Sequence, residues 1–337
     1  MSWTLDALEA RRVRYDELIP CRNAFVDTRS PGSDRKENFT IIGPGVAENP
    51  HQHVHISEPH GFNVGGARQP GGCLNSQHSH ESAEVFVVHS GRWRLIFGPE
   101  GQDGDLEVGP GDVASVPIHM FRGFEKIDEG IGFLFVLLGG DDPGRVKWAP
   151  SVFDLAKEHG LVLLKGGRLV DVAAGESVPE GAELEAAPDA EELARLITPT
   201  PQRLAECVVR RNELRANPQA ALAGPGVEEC PVIVPQASGD GFSPGPIVGW
   251  WPHGFQLRVL RMQKGAATPG YHCHEPEVLF VQRGSVKVKS DQGTIDLGPG
   301  DTFTSPQGWT HRLMADQDAE VVVARGTEAP RGPVVAA

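Results

Sequence analysis

His272-Cys273-His274 opens a stretch that continues through Glu277, Gly284 and Gly298-Pro299-Gly300-Asp301 to Pro306 and His311. Side chains alternate faces along an extended strand, so His272 and His274 are expected on one side. Glu277 follows across a short turn, and the His311 imidazole arrives on a later strand. Three neutral ring nitrogens and one carboxylate oxygen form a donor set for a divalent first-row metal. By the same alternation Cys273 falls on the opposite face and reads as a small buried residue, not a ligand.

The spacing resembles that of the cupins, small double-sheet jelly-roll β-barrels. The second cupin motif runs Gly, five residues, Pro-x-Gly, two residues, His. It is matched in full by Gly300, Pro306, Gly308 and His311. The first motif runs Gly, His-x-His, Glu, Gly, and is matched by His272, His274, Glu277 and Gly284 with one departure. Only Glu275 and Pro276 separate the second histidine from Glu277, where the family usually places three or four residues. Glu275 is thus an alternative ligand. Pro276 favours a turn at that point, which makes Glu277 the first choice.

The same set occurs earlier in the chain. Pro59-His60-Gly61-Phe62 recurs as Pro252-His253-Gly254-Phe255, and His78 and His80 recur as His272 and His274. Glu84 and Gly91 recur as Glu277 and Gly284 at an offset of 193 (277 − 84, 284 − 91). Asp112 and Pro117 recur as Asp301 and Pro306 at an offset of 189 (301 − 112, 306 − 117). A long internal repeat marks duplicated units. The resemblance therefore implies an all-β bicupin: two jelly-roll barrels joined by a partly helical linker. The expected segments are an arm at 1–38, an N-terminal barrel at 39–140 and a linker with helices and a loop at 141–249. A C-terminal barrel at 250–326 and a disordered tail at 327–337 follow. Helices are expected over Leu5–Tyr15, Ala182–Ile197 and Arg203–Ala216, and a loop over 224–246.

Size and composition agree. A chain of 337 residues suits two domains by the usual ~100–200 residues each. Forty-one Gly, 28 Pro and only 7% aromatics fit many short strands and turns. A net charge of −14 argues against nucleic acid and anionic membrane surfaces as partners. No apolar run reaches the ~20 residues of a membrane span, and the charged N-terminus carries no secretory core. Five cysteines without paired spacing read as reduced thiols of a cytoplasmic protein. His51, His53 and His55 alternate along one strand-like piece and read as a polar face. His60 and His253 read as hydrogen-bonding strand ends.

The first copy departs in its second motif. Aligning Pro117 with Pro306 puts His119 at the family's glycine and Arg122 at its histidine (311 − 122 = 189). A guanidinium has no lone pair to give a metal. Three arrangements remain open. His119 replaces the missing ligand, or His78, His80 and Glu84 alone hold the metal, or Arg122 clamps a substrate carboxylate.

The resemblance implies metal ligation by His272, His274, Glu277 and His311 in one barrel and by His78, His80 and Glu84 in the other. Fe(II) is the expected ion, with Mn, Ni, Zn or Cu as alternatives. Glu277 is also a candidate base that leaves the ion, its pKa set by burial against the ion's charge. Bicupins of this length include ring-cleaving dioxygenases, flavonol dioxygenases and oxalate decarboxylases. The expected function is a non-haem metal-dependent dioxygenase acting on a small organic acid, aromatic acids included. A metal-dependent decarboxylase or isomerase is the alternative enzyme, and a non-enzymatic small-molecule binder the third reading. Exposed sheet edges suggest a homodimer.

Overall fold

The computed structural model describes residues 3–234, 245–247, 251–326 and 332–336. Two β-barrels lie back to back. The first pairs a seven-stranded sheet, containing Phe62–Pro70, Glu84–Ser90 and Ile131–Gly139, with a five-stranded sheet containing Leu74–Ser79, Trp93–Phe97 and Arg122–Lys126. The second pairs a six-stranded sheet, containing Phe255–Met262, Glu277–Arg283 and Ala319–Gly326, with a three-stranded one built on Val286–Ser290.

Outer strands such as Trp93–Phe97 alternate buried and half-buried residues, as a sheet with one wet face requires. The inner strands do not alternate. Val85, Phe86, Val87 and Val88 are all buried, because one face fills the barrel and the other packs on the second barrel. At that contact Phe135 stacks on Phe280 with ring centroids 4.1 Å apart, and Phe62 meets Phe255 at 5.5 Å. The two repeated histidines tie it together from both ends. His60 Nε2 lies 2.9 Å from Thr304 Oγ1, and His253 Nε2 lies 2.7 Å from Ser115 Oγ.

A further repeat, absent from the motif reading, explains the arm and much of the linker. Residues 4–18 and 200–214 correspond at an offset of 196 (200 − 4, 214 − 18). Helices Leu5–Glu9 and Pro201–Ala205 are each capped by a threonine hydroxyl, Thr4 accepting from Ala7 N and Thr200 from Arg203 N. Short strands Arg12–Val13 and Val208–Val209 follow, then 3-10 turns Tyr15–Glu17 and Arg211–Glu213. The two arms cross. Arg12–Val13 pairs with Phe303 and Thr302 of the second barrel, while Val208–Val209 pairs with Ala114 and Val113 of the first. Each arm seats on the Gly-Pro-Gly-Asp turn opposite. Asp301 Oδ1 accepts from Tyr15 N at 3.0 Å, and Asp112 Oδ1 accepts from Arg211 N at 2.9 Å.

The expected helices are correspondingly shorter. Leu5–Tyr15 yields Leu5–Glu9, Ala182–Ile197 yields Ala190–Arg195, and Arg203–Ala216 yields only Pro201–Ala205. The β-branched pair Val208-Val209 goes to the sheet instead, where such residues pack well. A helix not expected, Pro150–Glu158, begins on a proline at its first turn. With the hairpin Leu161–Leu164 and Arg168–Asp171 it forms a cap packed on Trp148. The second barrel's sheet starts at Val227–Ile233, inside the expected loop. Residues 235–244 of that loop lie outside the described residues. So does most of the tail, but Val334–Val335 pairs with Tyr271–His272.

Candidate metal centre

In the first barrel His78 and His80 leave the strand Leu74–Ser79, Glu84 opens Glu84–Ser90, and Arg122 opens Arg122–Lys126 directly opposite His78. All four are buried. Donor atoms of His78, His80 and Glu84 lie within 4.8 Å of one another, the one such group of three among the described residues. His78 Nδ1 is 2.7 Å from the Ser76 carbonyl. As an N–H it donates there, which leaves the Nε2 lone pair for an ion. His80 Nδ1 is buried without a hydrogen-bond partner, and His80 Nε2 is 3.7 Å from Glu84 Oε1. Burial, and then the Arg122 charge, holds both imidazoles well below the usual range and therefore neutral. Two neutral imidazoles, one of them orphaned, beside a carboxylate fit a divalent cation.

Arg122 is committed to Glu84. Its Nε and Nη2 donate to Glu84 Oε2 at 3.0 and 2.7 Å, and Nη1 lies 3.4 Å from two backbone carbonyls. The expectation that its fork grips a substrate carboxylate gives way to another role: it fixes one oxygen of Glu84 and leaves Oε1 on the His80 side. His119 does not replace it. The His119 side chain is exposed and stands outside the group, while its backbone N donates to the His80 carbonyl at 3.1 Å.

A cavity of about 80 Å³ adjoins the group, walled by Phe86, Phe124, Val136, Leu138 and Trp148. His80 and Trp148 also border an outer cleft of about 610 Å³ beneath the cap. Behind His78 sits a polar layer that motif reading missed. Buried Lys36 pairs with Asp27 and donates to Asn75 Oδ1 at 2.9 Å. Trp148 Nε1 donates to Glu48 Oε1 at 2.6 Å, and burial pushes the Glu48 carboxyl up to about 8. Only burial distinguishes these residues, and Lys36 lies in what reads as polar turn sequence.

The second barrel is different. His311 and Glu277 come together, with Nε2 and Oε1 3.6 Å apart, but no three of His272, His274, Glu277 and His311 converge. Tyr271 and Cys273 are buried, whereas His272 and His274 are half-buried on the other face. The reason is register. The constant offset of 193 that relates Glu84 to Glu277 relates His78 to Tyr271 (271 − 78) and His80 to Cys273 (273 − 80). Pairing agrees: Tyr271 lies opposite His311 as His78 lies opposite Arg122. The shortened spacing before Glu277 was thus the signal that the histidine pair had slipped by one residue, which changes faces in a strand. Cys273 is buried on the face opposite the two histidines, as expected, and that face is the one turned toward Glu277. Glu275 is half-buried and also outside any such group.

Glu277 is held by protein donors. Tyr271 Oη donates to it at 2.7 Å, Arg325 Nε at 2.6 Å and Cys273 Sγ at 3.5 Å. Burial pushes its carboxyl up, but the Arg325 guanidinium, the neighbouring His311 ring and the Tyr271 hydrogen bond prevail and hold it at about 2. A carboxylate so stabilised is a poor base, contrary to the role expected of it. Arg325 lies opposite Glu277 where Leu138 lies opposite Glu84, so the extra cation occupies a place that is apolar in the first barrel. Of the alternating trio, His55 Nδ1 lies 2.9 Å from the Thr40 carbonyl, and neither it nor His51 or His53 belongs to a metal-type group.

A model of the cupin domain matches residues 258–324. A solved vicilin from hazelnut, Corylus avellana, is 10% identical with a TM-score of 0.52, over 97% of this chain and 88% of that one. An oxalate decarboxylase from Lactobacillus farciminis, in a formate complex, is 12% identical with a TM-score of 0.55, over 96% of this chain and 88% of that one. A variant of the Bacillus subtilis oxalate decarboxylase is 13% identical with a TM-score of 0.56, over 96% and 79%. No curated protein sequence matches. Residues 258–324 thus match the cupin domain, and the chain shares its fold of two jelly-roll barrels with these solved structures.

Proposed function

We propose that this bicupin is a metal-dependent dioxygenase acting on a small organic acid, with its working centre in the N-terminal barrel. The observation that carries this is the buried His78, His80 and Glu84 group with Arg122, which cannot ligate, in the fourth position. Two imidazoles and one carboxylate with open positions are the donor set of non-haem iron(II) oxygenases. Bound there, Fe(II), or Mn, Ni, Zn or Cu, would supply Lewis acidity and open positions for a chelating acid, and a redox-active ion would add reactivity toward dioxygen.

The chain's own residues supply the rest. Ser76 orients His78, and Arg122 holds Glu84 so that one oxygen stays available. The apolar walls exclude water and strengthen each electrostatic contact inside. A decarboxylase is the second reading, favoured by the fold shared with two oxalate decarboxylases across 96% of the chain. One structure of the Bacillus protein is described by its Mn(II) centres, which keeps manganese beside iron as a cofactor.

The test is metal analysis followed by oxygen uptake against catechols, hydroxybenzoates and diketones, with carbon dioxide release from oxalate measured in parallel. The reading expects bound metal and uptake, both lost in His78→Ala. Carbon dioxide release without oxygen incorporation would select the decarboxylase, and protein that retains no metal would leave a binder. The same reading includes a homodimer, supported by the exposed Ile131 and Ile197, and a cytoplasmic setting, supported by five free cysteines. Among the described residues no helix is long and apolar enough to cross a membrane.

A further inference from the structure

We infer that the outer cleft is where the substrate docks, that it takes a carboxylate with an apolar body, and that Arg145 and His119 meet it there. This deepens the proposed reaction and rests on it for the destination of the substrate. The cleft and the inner cavity share His80 and Trp148, so a molecule in the cleft already touches the wall of the candidate centre. Phe153, Leu163 and Leu196 give the cleft an apolar side.

Two basic side chains also border it. Lys147 Nζ is bonded to Glu192 Oε1 at 3.1 Å, whereas Arg145 has no hydrogen-bond or ion-pair partner among the described residues. Since Arg122 is used on Glu84, Arg145 is the guanidinium left to fork a carboxylate. Glu81 and Glu185 also line the cleft, so recognition there depends on contact with Arg145 and not on a general positive field.

His119 points to the same place by a separate observation. It is the one non-glycine residue at positive φ among the described residues, at 57°. That conformation is unfavourable for a residue with a Cβ. The corresponding position of the second barrel (119 + 189 = 308) is Gly308, at φ 72°, with open space around it. The turn therefore suits glycine, yet the first barrel carries an exposed imidazole there, on the rim of the cleft and one hydrogen bond from the His80 backbone. Strain of this kind gathers where a side chain is used.

The experiment titrates metal-loaded protein with benzoate, phenylacetate and isovalerate, and with neutral benzamide, by calorimetry. At least one carboxylate should bind, with benzamide tenfold weaker or worse. Arg145→Met should weaken that carboxylate at least tenfold with metal content and Tm unchanged, and Arg145→Lys should restore part of the loss. His119→Gly should keep or raise Tm and keep the metal, yet weaken binding severalfold. Absence of binding by all three acids, equal binding of benzamide, or indifference to Arg145→Met overturns the assignment of the cleft. A glycine variant that binds like the parent removes His119 from it. Protein without metal that still binds through Arg145 defeats the proposed reaction and not the cleft, and metal-loaded protein that ignores Arg145 does the reverse.

Discussion

Glu84 and Glu277 begin equivalent strands, both are buried, and each is paired with one guanidinium, yet their surroundings differ in what else they offer. Around Glu84 two imidazoles keep free lone pairs. Around Glu277 the same places hold a tyrosine hydroxyl and a thiol, both of which donate to it. His78→Ala should therefore abolish metal retention, while His272→Ala should leave metal content intact and shift stability by no more than ~0.5 kcal/mol, as for surface changes. Metal analysis and urea denaturation of the two variants decide this. Arg325→Met strands a buried carboxylate and should cost about 3–5 kcal/mol. Adding Glu277→Gln to it should recover much of that loss.

Acid should act in two windows, His253 contributing to the upper and Glu277 to the lower. His253 is depressed by burial from 6.5 to about 4, so it stays neutral in the fold while the unfolded chain takes up its proton. Its contribution is complete above 6.5 and is lost as pH falls to about 4. Glu277 is depressed from 4.5 to about 2, so its contribution is complete above 4.5 and disappears between 4.5 and 2, on the order of 3 kcal/mol. The urea midpoint should fall in both windows, and His253→Gln should lessen the upper fall only, the remainder coming from other buried histidines such as His60 and His89.

At the level of elements, the Gly-Pro-Gly-Asp turns do more than reverse the chain. Gly300 has φ 83°, and a Cβ there would come within 2.8 Å of the Tyr15 ring; Gly111 has φ 85°, and a Cβ there would come within 2.4 Å of the Arg211 side chain. Gly300→Ala should cost about 1–3 kcal/mol through backbone strain and overpacking. It should also expose residues 1–18 to protease ahead of global unfolding, which limited proteolysis would show. These turns stood out in the sequence as turns. Their role as sockets did not, because the arms that fill them share only common residues such as Thr4 with Thr200 and Leu18 with Leu214.

For the whole molecule, the fold was legible because glycine and proline punctuate short apolar runs in the same order twice. The first-barrel candidate group was legible as well, since motif and register agree at His78, His80 and Glu84, which the fold brings together. What failed was the face of His272 and His274, which one residue of spacing decides. What no motif could show was Arg325 and Lys36, whose importance comes from contacts across the fold, and the place of Arg145 beside the cleft. The expected stoichiometry follows from the asymmetry between barrels: one divalent ion per chain and not two, measurable on purified protein. The chain's own arms cover one edge of each large sheet, at Val113–Val116 and Thr302–Ser305, which leaves the opposite edges, Val54–Ile56 and Val227–Ile233, for a homodimer. Light scattering at micromolar concentration tests it.

The crossed arms carry one more implication. Each half of the polypeptide finishes the other's sheet, while the connection between them passes through a wholly exposed stretch at 172–181. That covalent link should therefore be dispensable once the halves have clasped. Cut there, the two fragments should stay together at native mass in gel filtration. Made separately, each should remain incomplete until it meets its complement.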